Sequence, residues 1–271
     1  MTRQKVKTLV LAGTAEARAV IDRLVADGRF AITASLAGAT PNPAALPVAT
    51  INGGFGGADG LATFCRDHAI DLLIDVTHPF ARHISRNARL ASAGTGIPLL
   101  RFERPPWQPL EGDDWRSFTS WQDMADAIPA GSRVFLAGGT QSIEIFMQRR
   151  DIALLARALN VEGRVAPDNV TFINALPSTS VEAERRQFIE ADITLLCCKN
   201  SGGEASFAKI AAARQLGLPV WLLARHSDTF EGDGGSDQTI AQKQLANLEI
   251  HDSVEALLVA AVSRLDHQRA E

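Results

Sequence analysis

The sequence predicts an α/β protein with two doubly wound parallel sheets, and three observations support this. Short apolar runs alternate with helical patterns along the chain, which is typical of parallel sheets covered by helices on both faces. A strand–glycine–threonine–helix junction occurs twice, as LVLAGT from residue 9 and VFLAGGT from residue 134. The two halves share a spacing as well, with 62 residues from Gly13 to Asp75 and 60 from Gly138 to Cys198.

The first half contains five apolar, strand-like runs with helical patterns between them. The strands are predicted near residues 6–12, 30–36, 48–51, 70–76 and 97–102, and the helices near 15–27, 58–68 and 80–93. In the first helix, Val20, Ile21 and Leu24 fall on one face, and Gly28 is a suitable C-cap. The pattern therefore favours a complete five-stranded domain.

The segment RPPWQPLEGDDW at 104–115 has no periodicity and is predicted to be a linker. The scheme then repeats, with a helix at 119–127 and another at 253–268. The later strands are predicted near residues 133–138, 152–157, 170–174, 193–198 and 219–224. We therefore predict domains 1–112 and 113–271, both Rossmann-like, which face a shared cleft. In sheets of order 3-2-1-4-5, ligands bind beyond the tips of strands 1 and 4.

Composition excludes several classes of protein. The net charge is −4 and no long block of one sign occurs, so we expect no nucleic-acid partner. The apolar runs are too short for a membrane span, and the N-terminus has no signal-peptide pattern. We therefore expect a cytoplasmic protein. The chain has no tyrosine, which excludes reductases that use a Tyr–Lys acid pair.

The three cysteines do not indicate a disulfide framework or a metal site. Cys197 and Cys198 end an apolar run, and no second Cys/His pair stands at metal-ligand spacing. We interpret this pair as small, buried, apolar side chains, and we expect no metal.

The turn after the first strand, LAGTAEAR, is a candidate cofactor site. Gly13 allows a ligand to approach the backbone, Thr14 is a good N-cap, and Ala15 opens the helix, whose free N–H groups favour a phosphate. The segment holds one glycine and is not a GxGxxG motif. An ordinary capped turn therefore remains the alternative interpretation.

The second strand indicates which dinucleotide would bind. NAD sites usually place an acidic residue about 20 residues beyond the glycines, but ITASLAGAT offers Ser35 and no acid. The hydroxyl of a serine and backbone N–H groups can donate hydrogen bonds to a 2′-phosphate, which a carboxylate would repel, so NADPH is favoured if a dinucleotide binds. The loop NGGFGG, with Gly54 and Gly56, is a second candidate phosphate loop, and a purely structural glycine turn is equally compatible with it.

The segment DVTHPFARH follows the fourth strand and should lie beside the first turn. Pro79 restricts His78 to extended geometry, and histidine suits proton transfer near neutral pH. We therefore predict that Thr77, His78, Pro79 and Phe80 position the cofactor, with His78 as a candidate catalytic acid. A solvated histidine is the alternative. Arg82 follows at a helix start and could meet a carboxylate.

The segment CCKNSGGEASF follows the fourth strand of the second half. Lys199, Asn200 and Ser201 offer hydrogen-bond donors, and Gly202 and Gly203 allow close backbone approach before a helix. We predict that this segment binds an anionic ligand, and a structural turn is the alternative.

Together the motifs LAGTAEAR, DVTHPFA, RFERPPW, the second GGT and KNSGG resemble the precorrin-6A reductases of cobalamin biosynthesis, in the same order over nearly the whole chain. The resemblance implies an NADPH-dependent enzyme that passes a hydride to a corrin precursor. The substrate would be a tetrapyrrole with many carboxylates. The protein would also contact neighbouring enzymes of the pathway transiently, to pass on the product. The basic residues that could bind its carboxylates are Arg82, Arg101, Arg104, Lys199 and Arg225.

Three other functions stay open at this stage. The first is the same reduction on a cobalt-containing intermediate. The second is a non-catalytic sensor that binds a nucleotide or an anion. The third is a different NADP-dependent reductase that shares only the cofactor loops.

Overall fold

The computed structural model describes residues 4–38, 44–225 and 247–267. The chain forms two compact units. Unit 1 contains the described residues up to Pro105 together with 247–267, and unit 2 contains those from Pro106 to 225. The segment TFEGDGGSDQT at 229–239, which is polar and glycine-rich and is therefore predicted to be a loop, lies outside the described residues.

Unit 1 is a parallel six-stranded sheet with helices on both faces. Its elements are β1 (Val6–Leu11), α1 (Ala15–Asp27), β2 (Phe30–Leu36), β3 (Ala49–Asn52), α2 (Ala58–Asp67), β4 (Leu72–Asp75), α3 (Arg82–Thr95), β5 (Leu99–Phe102), β12 (Leu248–His251) and α8 (Val254–His267). The strand order is β12-β5-β4-β1-β2-β3. Val20 and Leu24 of α1 pack with Leu257 of α8 on one face, and Leu61 of α2 and Ala88 of α3 are buried on the other.

Unit 2 repeats the arrangement. Its elements are β6 (Trp115–Phe118), α4 (Trp121–Ala127), β7 (Arg133–Ala137), α5 (Thr140–Phe146), β8 (Ala153–Ala158), β9 (Val170–Asn174), α6 (Val181–Glu190), β10 (Leu195–Lys199), a 3₁₀ turn (Glu204–Ser206), α7 (Ala208–Gln215) and β11 (Val220–Leu223). The strand order is β6-β11-β10-β7-β8-β9, again parallel. Phe188 of α6 and Ile210 of α7 bury one face of this sheet.

The prediction of two doubly wound parallel sheets is confirmed. In unit 1, strands β1 to β5 stand in the expected 3-2-1-4-5 order. In unit 2, the five strands β7 to β11 stand in the same order, counted from β7. The predicted limits of α1, β2 and β9 agree with the structure, and the other predicted elements differ by a few residues at their ends.

The predicted division at residue 112 differs from the observed units. Strand β12 pairs in parallel with β5, with Leu248 opposite Leu99, and α8 packs against α1. The C-terminal segment therefore belongs to unit 1 rather than to the second domain. Strands β6 and β12 were not predicted, because neither is a continuous apolar run.

Candidate functional site

The turn after β1 is fastened to the tip of β4. Thr14 caps α1 by accepting a hydrogen bond from the Ala17 N–H at 3.0 Å. Its hydroxyl donates to the carbonyl of Val76 at 2.9 Å. Gly13 has a φ of +126°, and an added Cβ there would meet no heavy atom within 4 Å. One threonine thus orders both loops at the switch point, and the glycine leaves open space at the turn.

Ser35 lies beside this turn at the end of β2. Its carbonyl accepts a hydrogen bond from the Ala12 N–H at 2.9 Å, and the residue is buried. Ala15, the first residue of α1, is exposed. The structure therefore brings Gly13, Thr14, Ala15 and Ser35 together at one end of the sheet.

The glycine loop before α2 has a steric reason for its composition. Gly56 has a φ of +76° and Gly57, the N-cap, a φ of +98°, which side chains disfavour. A Cβ on Gly60 would lie 1.7 Å from the carbonyl oxygen of Phe55. Backbone conformation at Gly56 and Gly57 and packing at Gly60 therefore explain these three glycines without a ligand. Gly54 has no neighbour within 4 Å of an added Cβ.

Asp75 organises the loop after β4, and the sequence analysis did not select it. The residue is buried, and its Oδ1 accepts hydrogen bonds from the N–H and the hydroxyl of Thr77 at 3.0 and 2.6 Å. Its Oδ2 is 3.0 Å from Nη1 of Arg101. Because Thr77 donates its proton to Asp75, the Ser85 hydroxyl, 3.3 Å away, must donate to Thr77. The Thr77 oxygen is therefore held as an acceptor.

His78 is half-buried and has an ordered ring. Its Nδ1 accepts a hydrogen bond from the Phe80 N–H at 3.2 Å, and its carbonyl accepts one from Ala81 at 2.7 Å. Pro79 lies inside this turn. Because Nδ1 is the acceptor, a neutral ring carries its proton on Nε2. The geometry therefore makes Nε2 a hydrogen-bond donor.

The arginines of unit 1 have different environments. Arg82 is exposed in the first turn of α3, which has no side-chain cap. Arg101 is buried against Asp75, and Arg104 forms an ion pair with Glu16 in the first turn of α1. Arg101 and Arg104 therefore each pair with a carboxylate of the protein, and their binding of substrate carboxylates stays a prediction. Glu16 is neutralised by Arg104, which removes a charge that would repel an anion.

In unit 2, the turn after β7 is closed by packing rather than by a cap. A Cβ on Gly138 would lie 2.2 Å from Oγ of Ser142 and 2.7 Å from the Trp121 ring. Gly139, the N-cap of α5, has a φ of +86° and supplies no side chain. Ser142 donates to the Gly139 carbonyl at 2.7 Å. This turn is thus shaped differently from its counterpart at Gly13.

The loop after β10 is held by two neighbours. The Asn200 side chain accepts from the Trp107 N–H at 2.8 Å and donates to its carbonyl at 3.1 Å. Arg225 donates to the carbonyls of Asn200 and Ser201 at 3.0 and 2.7 Å. Asn200 and Arg225 therefore fix the loop through the main chain.

Of the other predicted residues of this loop, Lys199 lies close to the turn after β7. The Lys199 Nζ would be 3.7 Å from a Cβ on Gly139, and burial lowers the pKa of this ammonium. Ser201 is buried, Gly202 has a φ of +71°, and Gly203 precedes the 3₁₀ turn. The structure thus brings Lys199 to the two strand tips expected from the repeat.

Buried polar groups lie under α6 and α7. Arg157 Nη1 is 2.6 Å from Oε1 of Glu184, and the Lys209 Nζ donates to the Ser206 carbonyl at 2.6 Å. Burial lowers the pKa of Lys209 and raises that of the Cys198 thiol to about 11. Burial also raises the Cys197 pKa well above its ordinary value. The prediction of buried cysteines is confirmed, and these thiols are protonated near neutral pH.

Across the described residues, no helix is both long enough and apolar enough to cross a bilayer. Within the same ranges, no group of three or more His, Cys, Asp or Glu side chains is placed to hold a metal ion.

Two parallel α/β units, each with glycine turns at its central strand tips, define a protein of the Rossmann-like class. A family described as Precorrin-6x reductase CbiJ/CobK matches residues 7–248. The chain therefore belongs to this family of reductases from cobalamin biosynthesis, as the motifs predicted.

Three relatives place the chain within the family. A Sinorhizobium sp. protein named precorrin-6A reductase is 41% identical over 226 residues, which cover 82% of this chain and 86% of the relative. A solved structure named CobK precorrin-6A reductase has a TM-score of 0.81 at 33% identity and covers 95% of this chain and 96% of its own. A Priestia megaterium protein named cobalt-precorrin-6A reductase is 29% identical, with 80% and 89% covered.

Proposed function

We propose that this protein reduces precorrin-6A with NADPH and forms the dihydro product, precorrin-6B. The single observation that carries the proposal is the hydrogen bond from Thr14 to Val76, which joins the tips of β1 and β4 inside a reductase fold. Dinucleotides bind at this switch point in doubly wound sheets. The open space at Gly13 fits a pyrophosphate, because a Cβ there would meet nothing.

The residues of unit 1 would divide the binding of the cofactor. Gly13, Thr14 and Ala15 would hold the pyrophosphate at the start of α1, and Ser35 would face the ribose. The bound nicotinamide would supply the hydride. We propose that Thr77 accepts a hydrogen bond from it, because the Thr77 hydroxyl already donates its own hydrogen bond to Asp75.

The other residues of the turn and of the glycine loop have subsidiary parts in the proposal. Pro79 and Phe80 would border the nicotinamide, since they lie in the turn closed by His78. Gly54 and Gly56 would line the phosphate side, although the positive φ of Gly56 gives that glycine a structural reason as well.

The substrate carboxylates would be bound by cationic and N–H groups. The proposed residues are Arg82, Lys199, Asn200, Ser201, Gly202 and Gly203. Arg82 is exposed, and Lys199 presents an ammonium at the strand tips of unit 2. Asn200 would act by holding its loop, since both polar ends of its side chain bind Trp107.

His78 is the proposed proton donor that completes the reduction. Its Nε2 carries the proton in the neutral tautomer set by Phe80, which gives an orientation suited to donation. His78→Gln should lower kcat and change its pH profile, with little change in the KM for NADPH. Unchanged turnover and pH dependence would remove the acid role and leave solvent as the donor.

The direct test mixes purified protein, NADPH and precorrin-6A and follows the absorbance of the nicotinamide. We expect NADPH to be consumed in proportion to the precorrin-6B formed. A parallel assay with NADH should be slower at equal concentration, because residues 31–38 contain no carboxylate for the ribose 2′-hydroxyl. Ligand binding without any consumption would favour the non-catalytic sensor.

The cobalt-containing substrate is the second candidate, because the Priestia megaterium relative bears that name. The higher identity to the Sinorhizobium protein favours the metal-free substrate. Turnover on metal-free and cobalt-loaded precorrin-6A, compared at equal concentrations, decides between them.

A further inference from the structure

Arg18 occupies a place at the strand tips of unit 1 that the sequence analysis did not select. It is the fourth residue of α1. Its Nη1 donates to the Ala45 carbonyl at 2.9 Å, and its Nη2 donates to the Ala44 carbonyl at 2.7 Å. The guanidinium is thereby fixed against the connection that leads from β2 to β3.

The charge of Arg18 has no carboxylate partner within the described ranges. Other arginines of the protein do have one: Arg101 pairs with Asp75, Arg149 with Asp151, and Arg214 with Asp113. Two neutral carbonyls orient the guanidinium but leave its positive charge uncompensated. A guanidinium has five N–H donors, so N–H groups remain for a further acceptor.

The position of Arg18 matters because strand β2 ends nearby. Ser35 is the penultimate residue of β2, and its carbonyl accepts a hydrogen bond from the N–H of Ala12, just before Gly13. In doubly wound folds, the end of the second strand faces the adenosine ribose, where a carboxylate binds the 2′-hydroxyl of NAD and an arginine accommodates the 2′-phosphate of NADP. The chain has no acidic residue from 31 to 38, so the cation of Arg18 faces no competing carboxylate from this strand.

We propose that Arg18 is the specificity-determining residue that selects NADPH over NADH, by donating charge-assisted hydrogen bonds to the 2′-phosphate. This inference rests on the proposed function, since it assumes that a dinucleotide binds at Gly13 and Thr14. The carbonyls of Ala44 and Ala45 act as a support that orders the guanidinium before the ligand arrives.

The test measures the binding of two nucleotide fragments by calorimetry. The probes are 2′,5′-ADP, which carries the 2′-phosphate, and ADP, which does not. Arg18→Gln should weaken 2′,5′-ADP roughly 10- to 100-fold, the usual range for a hydrogen bond to a charged group. ADP binding should change less than about threefold by the same scale. The preference between the fragments should therefore nearly vanish.

Arg23→Gln is the matched control. Arg23 lies on the same helix and is exposed, so the substitution removes the same charge away from the strand tips. It should leave both affinities unchanged. Arg18→Lys is a second variant that keeps a cation without the planar fork, and its preference should fall between those of the wild type and the glutamine variant.

The possible results distinguish a failure of this inference from a failure of the proposed function. An equal loss for both fragments in Arg18→Gln would mean that Arg18 only shapes the loop, which overturns the inference. The same preference in wild type, Lys and Gln variants would overturn it too, while the cofactor proposal would survive. A wild-type protein that binds neither fragment nor NADPH would instead contradict the proposed function itself.

Discussion

The two units share a strand order but fasten their central loops by different means. In unit 1, Thr14 joins the tips of β1 and β4, and the buried pair Asp75–Arg101 sets the hydroxyl of Thr77. In unit 2, the buried pair Arg157–Glu184 joins β8 to α6, and the loop after β10 is held through main-chain carbonyls. The same topology is therefore fastened at its central strand tips by a helix-cap threonine in unit 1 and by the side chains of Asn200 and Arg225 in unit 2.

The largest expected effect comes from removing one partner of each buried ion pair. Arg157→Met and Arg101→Met should each lower the free energy of unfolding by about 3–5 kcal/mol, because a carboxylate is left buried without its cation. Activity at low temperature should survive in Arg157→Met and fall in Arg101→Met, since only the latter supports Thr77. Denaturant unfolding and NADPH kinetics measure the two effects.

The double variant Arg157→Met with Glu184→Leu is the control for this difference. It should recover most of the lost stability, because no unpaired charge remains. If Arg157→Met lost activity at a temperature where it is fully folded, the pair in unit 2 would not be purely structural.

The next effect separates the two equivalent glycines. Gly138→Ala places a Cβ against Ser142 and Trp121 and should cost about 3 kcal/mol, the upper part of the range for overpacking. Gly13→Ala meets no atom but must keep a φ of +126°, so it should cost about 1–2 kcal/mol. Chemical denaturation measures both. An equal cost would show that the two turns are shaped alike.

The helix caps should show a smaller difference of the same kind. Thr14→Val removes the cap of α1 and the bond to Val76, and Ser180→Ala removes the cap of α6. Each should cost about 1–2 kcal/mol. Only Thr14→Val should raise the KM for NADPH, because only that cap adjoins the proposed pyrophosphate site. A rise in both would argue for a global effect.

The smallest expected effect is a pH dependence specific to unit 2, which buries Lys209. Burial lowers its native pKa below 10.5, so in the alkaline range the unfolded chain holds this proton longer than the native protein. The free energy of unfolding should therefore increase through this residue as pH rises from its lowered native pKa towards 10.5, and lack that gain below the native pKa.

Lys209→Met should remove that gain. Unfolding curves of the two proteins at a series of alkaline pH values measure this contribution together with the change at the neighbouring Cys198, whose pKa burial raises and the charge of Lys209 lowers. Parallel curves at every pH would show that the lysine is not desolvated in the native state.

The residues of the first unit show how far local patterns reach. Gly13 and Thr14 were predictable because an apolar run, a turn and a cap are encoded within six consecutive residues. Asp75 and Arg101 were not, since their partnership depends on β4 and β5 being neighbours in the sheet. Arg18 was missed for the same reason, as its acceptors Ala44 and Ala45 lie beyond the second strand.

The sequence by itself determined the order of the elements and the two glycine turns, because apolar periodicity and capping act over a few residues. Only the tertiary structure decided which sheet each edge strand joins. Strand β6 follows β5 in the chain but pairs with β11, and β12 follows β11 but pairs with β5. Pairing between strands is a non-local hydrogen-bonding choice, and a four-residue strand carries no periodic pattern that could specify its neighbour.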